Sequence, residues 1–486
     1  MGDRWSFAVN FRGACCTRTL LASLALFPVL MAAGQTVASV STSPSAMPSG
    51  PLTLTQAIAL AQAKYPAIRA AEEREAAAHS AIGVARTAYL PRVDMLWQDN
   101  RATTNKPNIA AIPQGIVPIP DTPARAVDGH SDWNSAAGVL LAWQPFDFGE
   151  RHSQVKAARY GADAATQATS LSRLNVAWAA ASAFFDASAA GKNVDVKQAN
   201  VKRMEVFART VHVLVENTLR PGADASQADA QLALARTQLI QAQTEEEVHL
   251  DALANFLQLS AEQLKLDIDD LIDAPSPAGL ETIGIAANPE VEQQAALVSQ
   301  QKEQIRALNR TYAPTFTLYG SASGLGAGLA STSTAPAFQG GTAGLVPSAY
   351  NWIAAVQVTF PAFQIFTIHQ QRQEQEANVH AAEATYQQMA GDLSAQVKEA
   401  RAMLDGARRI AQNTPLELTS AQQSEKQQRA RYQSGLATVI EVAAAEAVLA
   451  QAEGDDALAR LNVWRELAGV AEAQGDLTPF LQLMKK

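Results

Sequence analysis

YPAIRA at residues 65–70 returns as NPEVEQ at residues 288–293, and AYLPRVDM at residues 88–95 returns as TYAPTFTL at residues 311–318. Pro66 and Pro289 stand 223 residues apart, as do Pro91 and Pro314. Further on, DASQADAQLA from Asp224 matches EVAAAEAVLA from Glu441, and Phe146 matches Phe363, both at an offset of 217. The offset changes by six within one Pro/Gly/Ser-rich loop and is constant on either side of it. Constant spacing means two copies of one structural unit. The chain accordingly divides into residues 53–275 and 276–486, preceded by a head (1–34) and a linker (35–52).

The 486 residues are 48% hydrophobic but only 6% aromatic, which favours closely packed Ala-rich helices over bulky aromatic cores. Arg4, Arg12 and Arg18 precede an apolar run from Leu20 to Ala33, and small residues follow. This pattern reads as a secretory signal, too short to span a bilayer comfortably. Cys15 and Cys16 precede the run and leave with it, so the mature chain is expected to hold no disulfide, thiolate metal site or cysteine nucleophile. Loss of three Arg and one Asp takes the net charge from −9 to −11. An acidic exported chain is a poor nucleic-acid binder.

Each copy opens with a helix that Pro66 interrupts once in the first copy; Thr53 or Thr55 can cap it. The period then switches to two. Val93, Met95 and Trp97 alternate with Asp94 and Gln98, with Leu96 breaking the pattern. Val139, Leu141 and Trp143 alternate with Leu140 and Ala142. In the second copy Phe316 and Leu318 share one face, and Trp352, Ala354, Val356, Val358 and Phe360 another, opposite Asn351, Gln357 and Thr359. Four strands follow, at about 90–101, 133–145, 314–323 and 350–361. Each pair flanks a loop, one rich in Pro (Pro107 to Pro123), the other in Gly (Gly324 to Gly344). The stretch between Pro145 and Pro221 has no proline and predicts a helix of roughly 105 Å if continuous. Val201, Met204, Ala208, Val211 and Val215 give it a coiled-coil seam, continued by Ala228, Leu232, Ala235, Leu239 and Ala242 after a reversal at Gly222. The second copy repeats this with a reversal near Gly435, and Pro415 predicts a kink or break there. Asp147 can cap the first long helix.

Export, strands of about eleven residues and the clustering of Trp97, Trp133, Trp143 and Trp352 in or beside them point to the tilted strands and aromatic girdles of a membrane barrel. Four strands cannot close, and an open edge in lipid leaves backbone groups unsatisfied at several kcal/mol each. Several chains must then share one barrel.

The motifs YPAIRAA, AYLPRVD, WQPFDFGER and RYQSGLATVIEVAAAEAVLAQAE, duplicated and in this order, resemble the TolC/OprM family of outer-membrane efflux proteins over nearly all of the mature chain. The resemblance implies a mixed α/β membrane protein: a long α-helical coiled-coil barrel continuous with a trimeric twelve-stranded β-barrel, four strands per chain. It implies a passive duct in the outer membrane of a Gram-negative-type cell, with a large periplasmic portion. The implied partners are two further copies, outer-membrane lipid, a periplasmic adaptor and an inner-membrane pump of RND, ABC or MFS type. No cofactor is implied. By position, Glu441 forms a carboxylate ring at the periplasmic aperture, thinned because Ala444 stands where a second acid is common. Asp224 and Tyr432 occupy acceptor and donor positions of a closing contact. The basic partner beyond the turn glycine is Ala437, leaving Arg431, Arg429 or Arg220 as substitutes. Thr218 stands at the expected turn-glycine position of the first copy, so Gly222 is expected to take over the tight turn. Leu219, Arg220, Gly222, Gly435 and Leu436 would form the adaptor-docking tip.

The seven histidines show no metal spacing, and neither a phosphate loop nor a nucleophile elbow is present. Two other readings are a periplasmic adaptor, which would need one hairpin flanked by compact β-domains, and a periplasmic hydrolase with a helical scaffold.

Overall fold

The computed structural model describes residues 50–103, 131–217, 221–268, 287–331, 336–338 and 341–484. Residues 1–34, expected to be a signal sequence, together with the Pro-rich loop, Thr218, Leu219 and Arg220, lie outside these residues.

Helix α1 (Leu54–Lys64) starts at a capping box in which the Thr53 hydroxyl accepts from the Gln56 N–H and the Gln56 side chain accepts from the Thr53 N–H. Tyr65 is extended, as the residue before a proline must be, and Pro66 opens α2 (Pro66–Thr87) at the position where a missing N–H costs nothing. The second copy repeats the device: Asn288 is extended, accepts from the Glu290 N–H at 2.9 Å, and Pro289 opens α5 (Pro289–Arg310).

Four strands follow: β1 (Arg92–Thr103), β2 (Ser131–Phe146), β3 (Thr315–Ala327) and β6 (Ala349–Thr359). They form one antiparallel sheet in the order β1-β2-β3-β6, so the two copies meet at β2 and β3 and leave β1 and β6 as edges. A small hairpin, β4 (Leu329–Ser331) with β5 (Pro336–Phe338), lies between β3 and β6. β1 begins two residues later than expected because Leu90 closes a turn on the Thr87 carbonyl. β3 runs on through Gly324 and Gly326, which the sequence placed in a loop. There a side chain on Gly324 would meet Pro347 at 2.8 Å, and one on Gly326 would meet Ser135 and the Val346 carbonyl. The glycines let the returning chain lie close on the sheet.

The long helices are continuous. α3 (Glu150–Glu216) and α4 (Gly222–Leu257) form the first hairpin, α6 (Gln364–Gln433) and α7 (Val439–Ala473) the second, and a short α8 (Thr478–Leu483) ends the chain. At 1.5 Å per residue, the 67 residues of α3 extend about 100 Å. Pro415, expected to kink or break α6, lies inside it without breaking it. It removes one bond, to the Ala411 carbonyl, while α7 packed alongside holds the helix; the Thr414 hydroxyl next to it donates to Asp456 of α7 at 3.0 Å.

The largest core gathers Phe184 and Phe185 of α3, Leu54 and Ile58 of α1, Leu253 and Leu257 of α4, Leu467 of α7 and Phe480 of α8. Trp464 meets Phe480 edge-on at 6.3 Å. This core binds the short helices to the middle of the hairpins. Below it the hairpins are held by the seams read from the sequence: Val201 and Met204 against Ala235, then Phe207, Ala208 and Val211 against Ala228.

Candidate functional site

The sheet has two chemically different faces, fixed by its register. Val93, Met95 and Trp97 of β1 oppose Leu141, Val139 and Ala137 of β2; these oppose Gly320, Ala322 and Gly324 of β3, and those oppose Ala354, Trp352 and Tyr350 of β6. Met95 and Trp352 are about four-fifths exposed in the single chain (82% and 80%), an arrangement water would penalise and lipid would not. The other face carries Asp94, Gln98, Ser321, Ser323, Asn351, Gln357 and Thr359.

Aromatic residues bound the apolar face. Trp97 and Tyr350 share the upper level, and Trp143, Phe146 and Phe316 the lower, where the Trp143 ring N–H donates to the Tyr89 carbonyl at 3.0 Å. From Phe146 to Ala137, the residue opposite Trp97, the strand advances about 30 Å. At the usual ~40° tilt this spans about 23 Å of membrane normal, close to the ~25 Å apolar band of such barrels.

Below the sheet, Arg151 ties strand to helix. Its backbone N–H and its Nε donate to Asp147, at 2.6 and 2.9 Å, and its Nη1 to the Ala88 carbonyl at 2.9 Å, with the guanidinium 5.1 Å over the Tyr89 ring. The turn between β2 and α3 places Phe148 and Gly149 at positive φ (51° and 95°). Gly149 is the N-cap of α3; Asp147, expected to cap the helix, stands two residues earlier and accepts from the Gly149 and Arg151 N–H groups from there.

At the far end the two hairpins differ. α6 ends in a Schellman turn: Gly435 has φ 79°, its N–H donates to the Tyr432 carbonyl at 3.0 Å, and the Leu436 N–H to the Arg431 carbonyl at 2.8 Å. Gly222, expected to make the corresponding tight turn, is instead the first residue of α4, with Pro221 extended before it and no positive φ. The fixed φ of Pro221 already sets the helix entry, so glycine's freedom is not used.

Glu441 lies on the exposed surface of the tip and belongs to a capping box. Its carboxylate accepts from the Thr438 N–H at 2.6 Å and the Thr438 hydroxyl at 3.1 Å, and its own N–H donates to that hydroxyl at 3.3 Å. The Thr438 backbone bond above all, then its hydroxyl, holds the Glu441 carboxyl below the usual carboxylate range. The T-x-x-E spacing carried this signal in the sequence and was read only as an aperture position. Tyr432 is buried at 1% exposure, its ring edge-on to Phe207 of α3 at 5.5 Å. Asp224 sits half-buried in the first turn of α4. Arg431 reaches back to the Leu436 carbonyl of its own hairpin at 3.4 Å.

Arg429 belongs to a buried charge cluster that the sequence reading missed. Glu446 of α7, 1% exposed, is ion-paired with Arg429 of α6 and at 3.0 Å with Nε of Arg203 of α3. Arg429 also meets Glu425 at 2.7 Å, and Arg203 also grips Glu453 at 2.8 and 3.1 Å. Burial pushes the Glu446 carboxyl above its ordinary range and Glu425 adds to this, while Arg429 and Arg203 oppose it. The repeat offset of 217 maps Arg429 and Glu446 onto His212 and Asp229, which pair at 2.9 Å in the first hairpin. One duplicated contact is thus a buried Arg–Glu ion pair in one copy and an exposed His–Asp contact in the other.

An open amphipathic sheet of membrane height, joined to two helices about 100 Å long that each pair with a helix about half that length, defines one segment of a shared transmembrane channel wall. The chain belongs to the outer membrane efflux protein family, which matches residues 57–257 and 284–476, one segment in each copy. Its fold is that of solved outer-membrane channels. VceC of Vibrio cholerae is 17% identical with a TM-score of 0.71, covering 87% of this chain and 96% of that one. CmeC of Campylobacter jejuni is 16% identical (TM-score 0.68; 87% and 85% covered). MtrE of Neisseria gonorrhoeae, in its open state, is 18% identical (TM-score 0.68; 87% and 89% covered). Among curated protein sequences none matches. The protein is an outer-membrane channel of tripartite efflux systems, and its family and fold are those of passive channels rather than enzymes. The adaptor alternative is not favoured. No described helix is long and apolar enough to cross a membrane.

Proposed function

We propose that three copies close the barrel, β1 of one pairing with β6 of the next, and that the α6–α7 tips form a gate which a periplasmic adaptor opens. The observation that carries this is the sheet with two bare edges beside an apolar face, which lipid does not tolerate unpaired. Adaptor docking is supported by Leu436 and Ile440, which leave apolar side chains 70% and 63% exposed beside Gly435. An inner-membrane pump supplies the energy.

Three copies of Glu441 would ring the aperture and favour cations. Because its carboxyl titrates below the usual range, the ring keeps its charge above that lowered value and loses it as pH falls through it. Single-channel recordings test this. Wild type should prefer cations at neutral pH and still do so at the ordinary Glu pKa of about 4.3. Glu441→Gln should weaken the preference wherever the wild-type ring is charged and make no difference once pH falls below the lowered value. Unchanged selectivity would remove Glu441 from the aperture. Asp224 and Tyr432 are proposed as neighbouring elements of the same closure, joining the two hairpins of one subunit.

A further inference from the structure

At the extreme tip, the described side chains of Arg431 and Glu441 bond within their own hairpin. Charged contacts from α7 across to α3 include two at higher places: Arg203 with Glu446 and Glu453, and Arg465 with Asp186 at 2.6 Å. The lower one is built around a buried carboxylate. Resting on the channel reading above, we propose that Arg203 is the positioning residue that holds the second hairpin against α3, and thereby keeps the channel closed at rest.

The argument is one of charge compensation. The cluster holds three carboxylates (Glu425, Glu446, Glu453) and two guanidiniums (Arg203, Arg429). Arg203 approaches from α3, Arg429 and Glu425 from α6, and Glu453 lies on α7 itself. α4 also packs on α7, but no charged group of α4 is among the described ion-pair partners of Glu446. Without Arg203, Glu446 and Glu425 must share Arg429. A buried carboxylate left short of a cation either takes up a proton or moves to water. Moving to water requires α7 to leave α3, and with it the tip hairpin.

The sign follows. With Arg203 absent, the Glu446 pKa in the closed arrangement rises further above its value in water. Protonation therefore favours the closed form, and closure is lost as pH rises through that raised value.

Full-length protein in planar bilayers tests this. Arg203→Ala should raise the resting open probability about tenfold at neutral pH, equivalent to about 1.4 kcal/mol, and should return towards wild type as pH falls. Adding Glu446→Gln to Arg203→Ala should restore closure at neutral pH, which general damage to α3 would not permit. Arg203→Lys, which keeps the charge but not the fork across Glu446 and Glu453, should fall between wild type and Arg203→Ala. Arg465→Ala should leave closure intact. Should Arg203→Ala fail to assemble, Arg203→Gln keeps the length of the side chain and removes the charge. An assembled Arg203→Ala or Arg203→Gln protein as closed as wild type, or no rescue by Glu446→Gln, overturns the proposal while channel activity stands. Silence of wild type and all variants at every pH overturns the channel reading and this proposal with it.

Discussion

Gly435 shows how much one residue can commit. Its φ of 79° is open to glycine and strained for any other side chain, and two tip hydrogen bonds depend on it. Gly435→Ala should destabilise the turn by about 1 kcal/mol, read as roughly fivefold faster amide exchange at Leu436. Its role was legible because glycine followed a long periodic run, the usual mark of a helix end. The role of Gly222 was not, because Pro221 does the same work by a different means. Glu441 illustrates a double duty: the carboxylate expected at an aperture also closes its own helix cap. Thr438→Val should therefore fray the first turn of α7 by about 1 kcal/mol, measured by the same exchange, while leaving the aperture charge in place.

At the scale of elements, periodicity predicted strands and helices well and interruptions poorly. Pro415 was expected to kink or break α6, and the helix runs through it. A proline ends an isolated helix, but one lost bond is small beside the burial along a 70-residue helix packed on α7. Pro415→Ala restores the bond to the Ala411 carbonyl and should slow amide exchange in that turn, by up to about 3 kcal/mol. Faster exchange there would mean that the proline is needed for the fit to α7. Gly324 and Gly326 were likewise read as loop and are strand, because the chain that needs the space they leave returns from residues 341–348. Local chemistry cannot announce a neighbour arriving from elsewhere.

For the whole molecule, the question is which face of the sheet meets lipid, and two adjacent leucines pose it sharply. Leu141 lies level with Val93, Gly320 and Ala354 on the apolar face; Leu140 lies level with Asp94, Ser321 and Ile353 on the other. Leu141→Arg puts a charge near the centre of the apolar band and should cost about 2–4 kcal/mol, seen as loss of the assembled form on semi-denaturing gels. Leu140→Arg should assemble normally and reduce cation preference. Equal tolerance of both would mean that the sheet does not span lipid as described.

The sequence by itself determined the duplication, the type of each long element, the exported amphipathic strands and, through ordered motifs, the family. These are properties of residues near one another or repeated at a fixed interval, so they survive in one dimension. Tertiary structure alone decided that Arg203 meets Glu446, 243 residues away, and that the Arg429–Glu446 pair is buried while its counterpart, His212 with Asp229, is exposed. Burial and pairing of a charge depend on what packs over it. Here that is α3 of the first copy lying against α7 of the second, a juxtaposition no local pattern encodes.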